Sequence, residues 1–128
     1  MPDTAKVTGI TQIYIMCREV PRALAFYRDV VGLPLLFETN GMAFFQAGAT
    51  RLMLSKPEIA AIDHPSSLIY FGTADIVGAV AAVKGGGANV ATEPHIIATM
   101  GGKEIWLCEW HDTEGNIMAF MEERPVAA

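Results

Sequence analysis

Cysteine, basic charge and long apolar runs are all scarce in this chain, and each scarcity weighs against a class of protein. The two cysteines, Cys17 and Cys108, stand far apart with no second cysteine two to four residues away. Neither a zinc knot nor a redox pair is signalled, and both residues read as small buried apolar groups. Nine Lys and Arg against fourteen Asp and Glu leave a formal net charge of −5, with no basic run anywhere. Nucleic acid, which needs a phosphate-binding patch, is not an expected partner. No stretch approaches the roughly 18 consecutive apolar residues of a membrane span, so a membrane is not expected either. The first residues, Met1 to Thr8, carry no charged-then-apolar leader, and the expected compartment is the cytoplasm. What remains is 128 residues at 52% hydrophobic content. That suffices for one domain over 1–128 which buries a core without disulfides or structural metal.

The patterning that is present alternates strands with helices. Residues 10–17 are rich in β-branched and large side chains and lead into a helix expected over 21–33. Pro21 sits in its first turn and Gly32 just past its end. Ala23, Phe26, Tyr27, Val30 and Val31 recur at helical spacing and make a broad apolar stripe. Strands are expected over 34–38, 42–46 and 51–54, and 55–66 reads as a connector with one helical turn. The order then restarts. Residues 68–71 form a strand, Asp75 suits an N-cap, and Ile76, Val80 and Val83 give a helical stripe that Gly85-Gly86-Gly87 ends. Further strands are expected over 90–93, 104–110 and 117–122. Shifted by 56 positions, Ile13-Tyr14-Ile15 overlays Ile69-Tyr70-Phe71, a faint internal repeat. These elements by themselves describe an α+β domain with helices on one face of mixed sheets.

Two segments say more. Phe26-Tyr27-Arg28-Asp29-Val30-Val31-Gly32-Leu33 closes the first helix, and Asp112-Thr113-Glu114-Gly115-Asn116 joins the last two strands. In the second, Asp can bond back to the backbone while Gly and Asn tolerate positive φ, so it reads as a tight hairpin turn. Taken together, the pair resembles the signature of the glyoxalase, bleomycin-resistance and extradiol-dioxygenase superfamily, the vicinal oxygen chelate proteins. The resemblance implies two βαβββ modules, about 8–55 and 67–123, whose mixed sheets form a cup with helices on the outer face. It also implies a homodimer, and leaves open whether the cup closes within one chain or across the dimer.

Metal-using members of that family take one His, Gln or Glu ligand from each of four strands. Carried over, those positions fall on Gln12, Met53, Leu68 and Ala119. Only Gln12 can offer an oxygen, so the resemblance supports the fold and argues against a metal. Strand alternation sets Gln12, Tyr14 and Met16 opposite Ile13, Ile15 and Cys17. Trp106, Cys108 and Trp110 are expected to fill the space above the small residues of the second helix, which aims Leu107, Glu109 and His111 into the cup. Tyr14, Met16, Met53, Tyr70, Leu107, Ile117, Ala119 and Met121 then form an apolar and aromatic lining suited to a small molecule. The plainer reading is that the same residues fill an ordinary closed core.

Glu109 interrupts an apolar strand and is a general-base candidate; its structural alternative is a solvated or ion-paired strand end near Lys103 or Arg51. His111 is the second catalytic candidate, against a strand-end residue bonding the turn; His64 and His95 read as loop residues. Gln12, Glu109 and His111 could together rebuild a ligand set. Residues 94–104, with Gly101-Gly102, suit a mobile flap at the pocket mouth. Three functions follow, in descending order. The first is a metal-free module binding a small, partly aromatic molecule. The second is a divalent-metal lyase or isomerase of glyoxalase or epimerase type, and the third a metal-independent enzyme using Glu109 or His111.

Overall fold

The computed structural model describes residues 4–126. Strand β1 (Gln12–Met16) leads into α1 (Val20–Ala25), and β2 (Leu35–Thr39), β3 (Met42–Ala47) and β4 (Thr50–Ser55) follow. They form a four-stranded sheet in the order β1-β4-β3-β2, with β1 parallel to β4 and the other pairs antiparallel. A connector with one 3₁₀ turn (Ala60–Ile62) leads to β5 (Ile69–Gly72), α2 (Ile76–Gly85), β6 (Asn89–Val90), β7 (His95–Met100), β8 (Lys103–His111) and β9 (Ile117–Pro125). The second sheet runs β5-β9-β8-β6, and β7 also pairs with β8. Here again the first strand, β5, runs parallel to the last, β9. The two modules thus repeat one topology, as the 56-residue overlay suggested, and the mixed α+β architecture stands. No helix among the described residues is long and apolar enough to cross a membrane.

Local chemistry explains most boundaries. Asp75 caps α2, its Oδ1 accepting from the Gly78 amide at 3.0 Å, and the Glu122 carboxylate accepts from the Ile76 amide at 2.7 Å. Three expectations need correction. The first helix is α-helical only to Ala25 and continues as a π-helical segment, Phe26–Val31. Its wide turn buries two consecutive aromatic residues that face different sheets, Tyr27 against Phe45 and Phe26 against Trp110. The segment expected to be a flap is a hairpin: β7 pairs antiparallel with β8, with a register shift between Ile96 and Ala98, and turns at Gly101-Gly102. The strand expected over 90–93 shrinks to the two residues of β6, since β7 then occupies the same edge of β8.

One face of each sheet carries the core. Ile15, Cys17, Ala43, Phe45, Leu52 and Leu54 from the first sheet join Phe71, Cys108, Trp110, Met118 and Phe120 from the second in a single cluster around the helices. Alternation therefore sends Trp106, Cys108 and Trp110 toward α2, as expected. Val30 of the π-segment rests directly on Gly86, where a Cβ would lie 2.5 Å from Val30 Cγ1. Glycine thus permits the two helical segments to touch. Because both helix-bearing faces share one core, the opposite faces of the two sheets point away from each other.

Candidate functional site

The two family-like segments bind each other. Asp112 Oδ1 accepts from the amides of Glu114 and Asn116 at 2.8 and 2.9 Å, closing the turn, while its Oδ2 accepts from Tyr27 Oη at 2.8 Å. Glu114 reaches across to the start of α1, where Oε1 accepts from the Arg18 and Glu19 amides at 2.7 and 2.8 Å and Oε2 from Arg22 Nε at 2.9 Å. Asn116 Nδ2 donates to the Met16 carbonyl at 2.8 Å, and its Oδ1 accepts from the Ser66 amide at 2.8 Å. Every heavy polar atom of the clasp has a partner, as burial demands. Burial pushes the Glu114 carboxyl up, but the hydrogen bonds from Arg22, Glu19, Thr113 and Arg18 outweigh it, so its pKa lies below the usual value. Tyr27 is pushed well above the usual phenol by burial and by the Asp112 charge. Cys17, buried near Glu114 and Asp112, is pushed up to about 12, which leaves no thiolate for nucleophilic chemistry. The clasp is structural: it ties the β1–α1 corner of module one to the β8–β9 turn of module two.

The faces away from the helices hold the residues expected to line a cup. On the first sheet, cross-strand register sets Gln12, Arg51 and Gln46 in one row, and Tyr14, Met53, Phe44 and Phe37 in the next. Phe37 and Phe44 stack with ring centroids 4.5 Å apart, and Phe37 is 50% exposed. Tyr14 Oη donates to the Ser55 carbonyl at 3.0 Å. Met16, on the same face, is already buried, with its amide bonded to Ser66 Oγ at 2.7 Å, so it offers little free surface. A depression of about 260 Å³ beside Tyr14 and Met53 extends to Ile59 and Ile62 of the connector.

On the second sheet, Tyr70, Ala119 and Glu109 form one row, with Leu107 and Met121 in the adjacent row and His111 opposite Ile117. His95 pairs with Leu107 and belongs to the same face. Tyr70 is 51% exposed, Leu68 is half-buried just before β5, and Ala119 is covered by its neighbours. Glu109 pairs with neither Lys103 nor Arg51 and has no ion-pair partner among the described residues. His111 Nδ1 is buried without a hydrogen-bond partner. The two half-sites are not brought together within the chain: Gln12, Tyr14 and Met53 face one way, and Tyr70, Glu109 and Ala119 the other. A combined Gln12, Glu109 and His111 ligand set is therefore not assembled by one copy.

The carried-over metal positions do not fit a divalent ion. Gln12 Oε1, the single ligand oxygen, accepts from Arg51 Nε at 2.7 Å, and Gln12 Nε2 donates to Met53 Sδ at 3.6 Å. A permanent cation therefore holds the oxygen that a metal would need. No group of three His, Cys, Asp or Glu among the described residues could hold a metal ion. Arg51 entered the sequence analysis only as a possible ion-pair partner of Glu109, and its place beside Gln12 was not foreseen. The β4 alternation that puts it on Met53's face was the available signal, but its partner Gln12 is 39 residues away and appears only with the parallel register. A cleft of about 720 Å³ lies instead by the clasp, between the β2–β3 turn and the connector. Its arginines are neutralised, Arg18 by Asp63 and Arg22 by Glu19 and Glu114.

Among solved structures, a lactoylglutathione lyase from Agrobacterium tumefaciens is 20% identical with a TM-score of 0.70, over 91% of this chain and 95% of that one. An antibiotic-binding protein from a Streptomyces species is 16% identical with a TM-score of 0.74, over 94% and 99%. A structure from the mobile metagenome of V. Pseudocholerae is 18% identical with a TM-score of 0.76, over 94% and 98%. At these identities the likeness is one of fold. Among curated proteins none matches the sequence. The model of the Glyoxalase/Bleomycin resistance protein/Dioxygenase superfamily matches residues 9–120, nearly the whole of both modules and both ends of the clasp, and the chain belongs to that superfamily.

Proposed function

We propose that this protein binds a small, partly aromatic molecule without a metal, in a cup that two copies build together. The carrying observation is the orientation of the half-sites. The aromatic face of module one and the Tyr70 face of module two point outward from one shared core, with Phe37 and Tyr70 half-exposed although Leu107 and Ala119 are covered, so a single copy leaves each half-site without its counterpart. Pairing module one of one copy with module two of another, and the reverse across a twofold axis, would close two equivalent cups at once. The Gln12 to Arg51 bond supports the metal-free part of the reading, and an antibiotic-binding relative of the same fold is in keeping with a binding role. Sedimentation at micromolar concentration, with metal analysis of the same sample, tests it. A dimer without stoichiometric metal, whose melting temperature ignores a chelator, is the expected result; a monomer or a metal-loaded dimer would overturn it.

A second reading, a metal-independent enzyme, is favoured by one feature. Glu109 and His111 share a face, with no ion-pair partner for the carboxylate and an unbonded ring nitrogen on the histidine. Such a pair could move a proton at a ligand carbon or oxygen. Under this reading Glu109→Gln would retain ligand affinity and lose turnover.

A further inference from the structure

We infer that Arg51 is the specificity-determining residue of this cup and selects a ligand carrying a carboxylate beside an aromatic ring. The inference rests on the binding-cup reading above and names its ligand class.

The chain has five arginines. Four are neutralised within the chain: Arg18 by Asp63, Arg22 by Glu19 and Glu114, Arg28 by Asp29, and Arg124 by Glu122. Arg51 alone has no carboxylate partner among the described residues, in a molecule whose net charge is −5. Its guanidinium is nonetheless held. Nε donates to Gln12 Oε1 at 2.7 Å, and its carbon stands 6.0 Å from the centroid of the Phe44 ring. Gln12 is itself steadied by Met53 Sδ, so a neutral acceptor orients the cation without cancelling its charge.

Committing Nε to Gln12 leaves both terminal nitrogens for an incoming group. Their planar pair of N–H donors matches the two oxygens of a carboxylate. The surface alongside is aromatic, since Phe44 and Phe37 stack in the next row with Phe37 half-exposed. A ring lying on that row would place an attached carboxylate at the guanidinium. A single unpaired arginine balances one negative charge, which favours a carboxylate over a phosphate dianion. Where metal-using relatives would meet ligand oxygens with a metal ion, this chain presents a fixed organic cation.

The test uses the full-length protein and three probes of one shape: 2-naphthoate, 2-naphthamide and 2-naphthyl phosphate, titrated by amide chemical shifts. The wild type should bind the carboxylate about tenfold or more tightly than the amide, with shifts at Tyr14, Phe44 and Tyr70. Arg51→Gln should bring that ratio to about one while leaving amide binding in place. Gln12→Leu, which keeps the charge and removes its anchor, should lower the ratio part-way and covers the case in which Arg51→Gln does not fold. Equal binding of carboxylate and amide at the cup, or a preference that survives Arg51→Gln, would overturn the inference and leave the cup standing. Tighter binding of the phosphate would overturn the carboxylate class. Silence of the cup amides with all three probes would remove both the inference and the reading beneath it.

Discussion

At the residue scale, the clasp concentrates the stability that single side chains control. Tyr27→Phe removes a donor to the buried Asp112 carboxylate and should cost about 1–3 kcal/mol, read as a lower denaturant midpoint at unchanged slope. Asp112→Ala strips the turn of its acceptor, and Gly115→Val forces a β-branched residue to a φ of 84°; each should cost about 1–3 kcal/mol or more. Loss of ligand binding without loss of stability in these variants would mean that the clasp has a functional role. Glu114 predicts an acid limb. Its pKa is lower folded than unfolded, so its contribution is complete above the unfolded value of about 4.3 and disappears as pH falls through the folded value. Urea unfolding between pH 7 and pH 3 should show the decline, and Glu114→Gln should flatten it.

At the element scale, β7 and the first helix show where local reasoning stops. Residues 94–104 look like a flap because Gly101-Gly102 and a polar tip interrupt the pattern. In the fold the same glycines make the two-residue turn of a hairpin. Strand His95–Met100 is nevertheless an edge, with Ile96, Ile97 and Met100 largely exposed. Hydrogen exchange should therefore split its amides: those bonded to β8 should exchange slowly and those on the free edge within seconds, whereas uniformly fast exchange would restore the flap. The helix from Val20 was legible as an apolar stripe and a terminal glycine, but its change to π-helical winding at Phe26 was not. That change follows from the need to bury Phe26 and Tyr27 against different sheets.

At the scale of the whole molecule, the question is which faces meet. Ala119 stands between Tyr70 and Glu109 on the face away from α2. Ala119 is fully covered by its neighbours, so a phenyl ring there has to displace the side chains around it, and Ala119→Phe should cost about 1–3 kcal/mol of chain stability while abolishing naphthoate binding. A thermal melt checks this, and an unchanged melting temperature would mean that the face beside Ala119 opens to solvent. The same substitution should leave the helix-facing row of Met118 and Phe120 undisturbed, since successive strand residues point to opposite faces.

Sequence alone determined whatever depends on neighbours along the chain. The Asp75 cap, the Asp112 turn and the alternation that sends Trp106 and Trp110 to one side and Glu109 to the other are set by geometry repeating every two or four residues, and all three are present in the fold. Tertiary structure alone decided what depends on contacts between distant segments. Glu114 meets Arg18 and Arg22 across more than ninety residues, and Arg51 finds Gln12 only through the parallel β1–β4 register. The outward orientation of the two half-sites is of the same kind. An amphipathic strand specifies which of its faces is buried, but not what covers it, and here the cover is one core shared by two sheets.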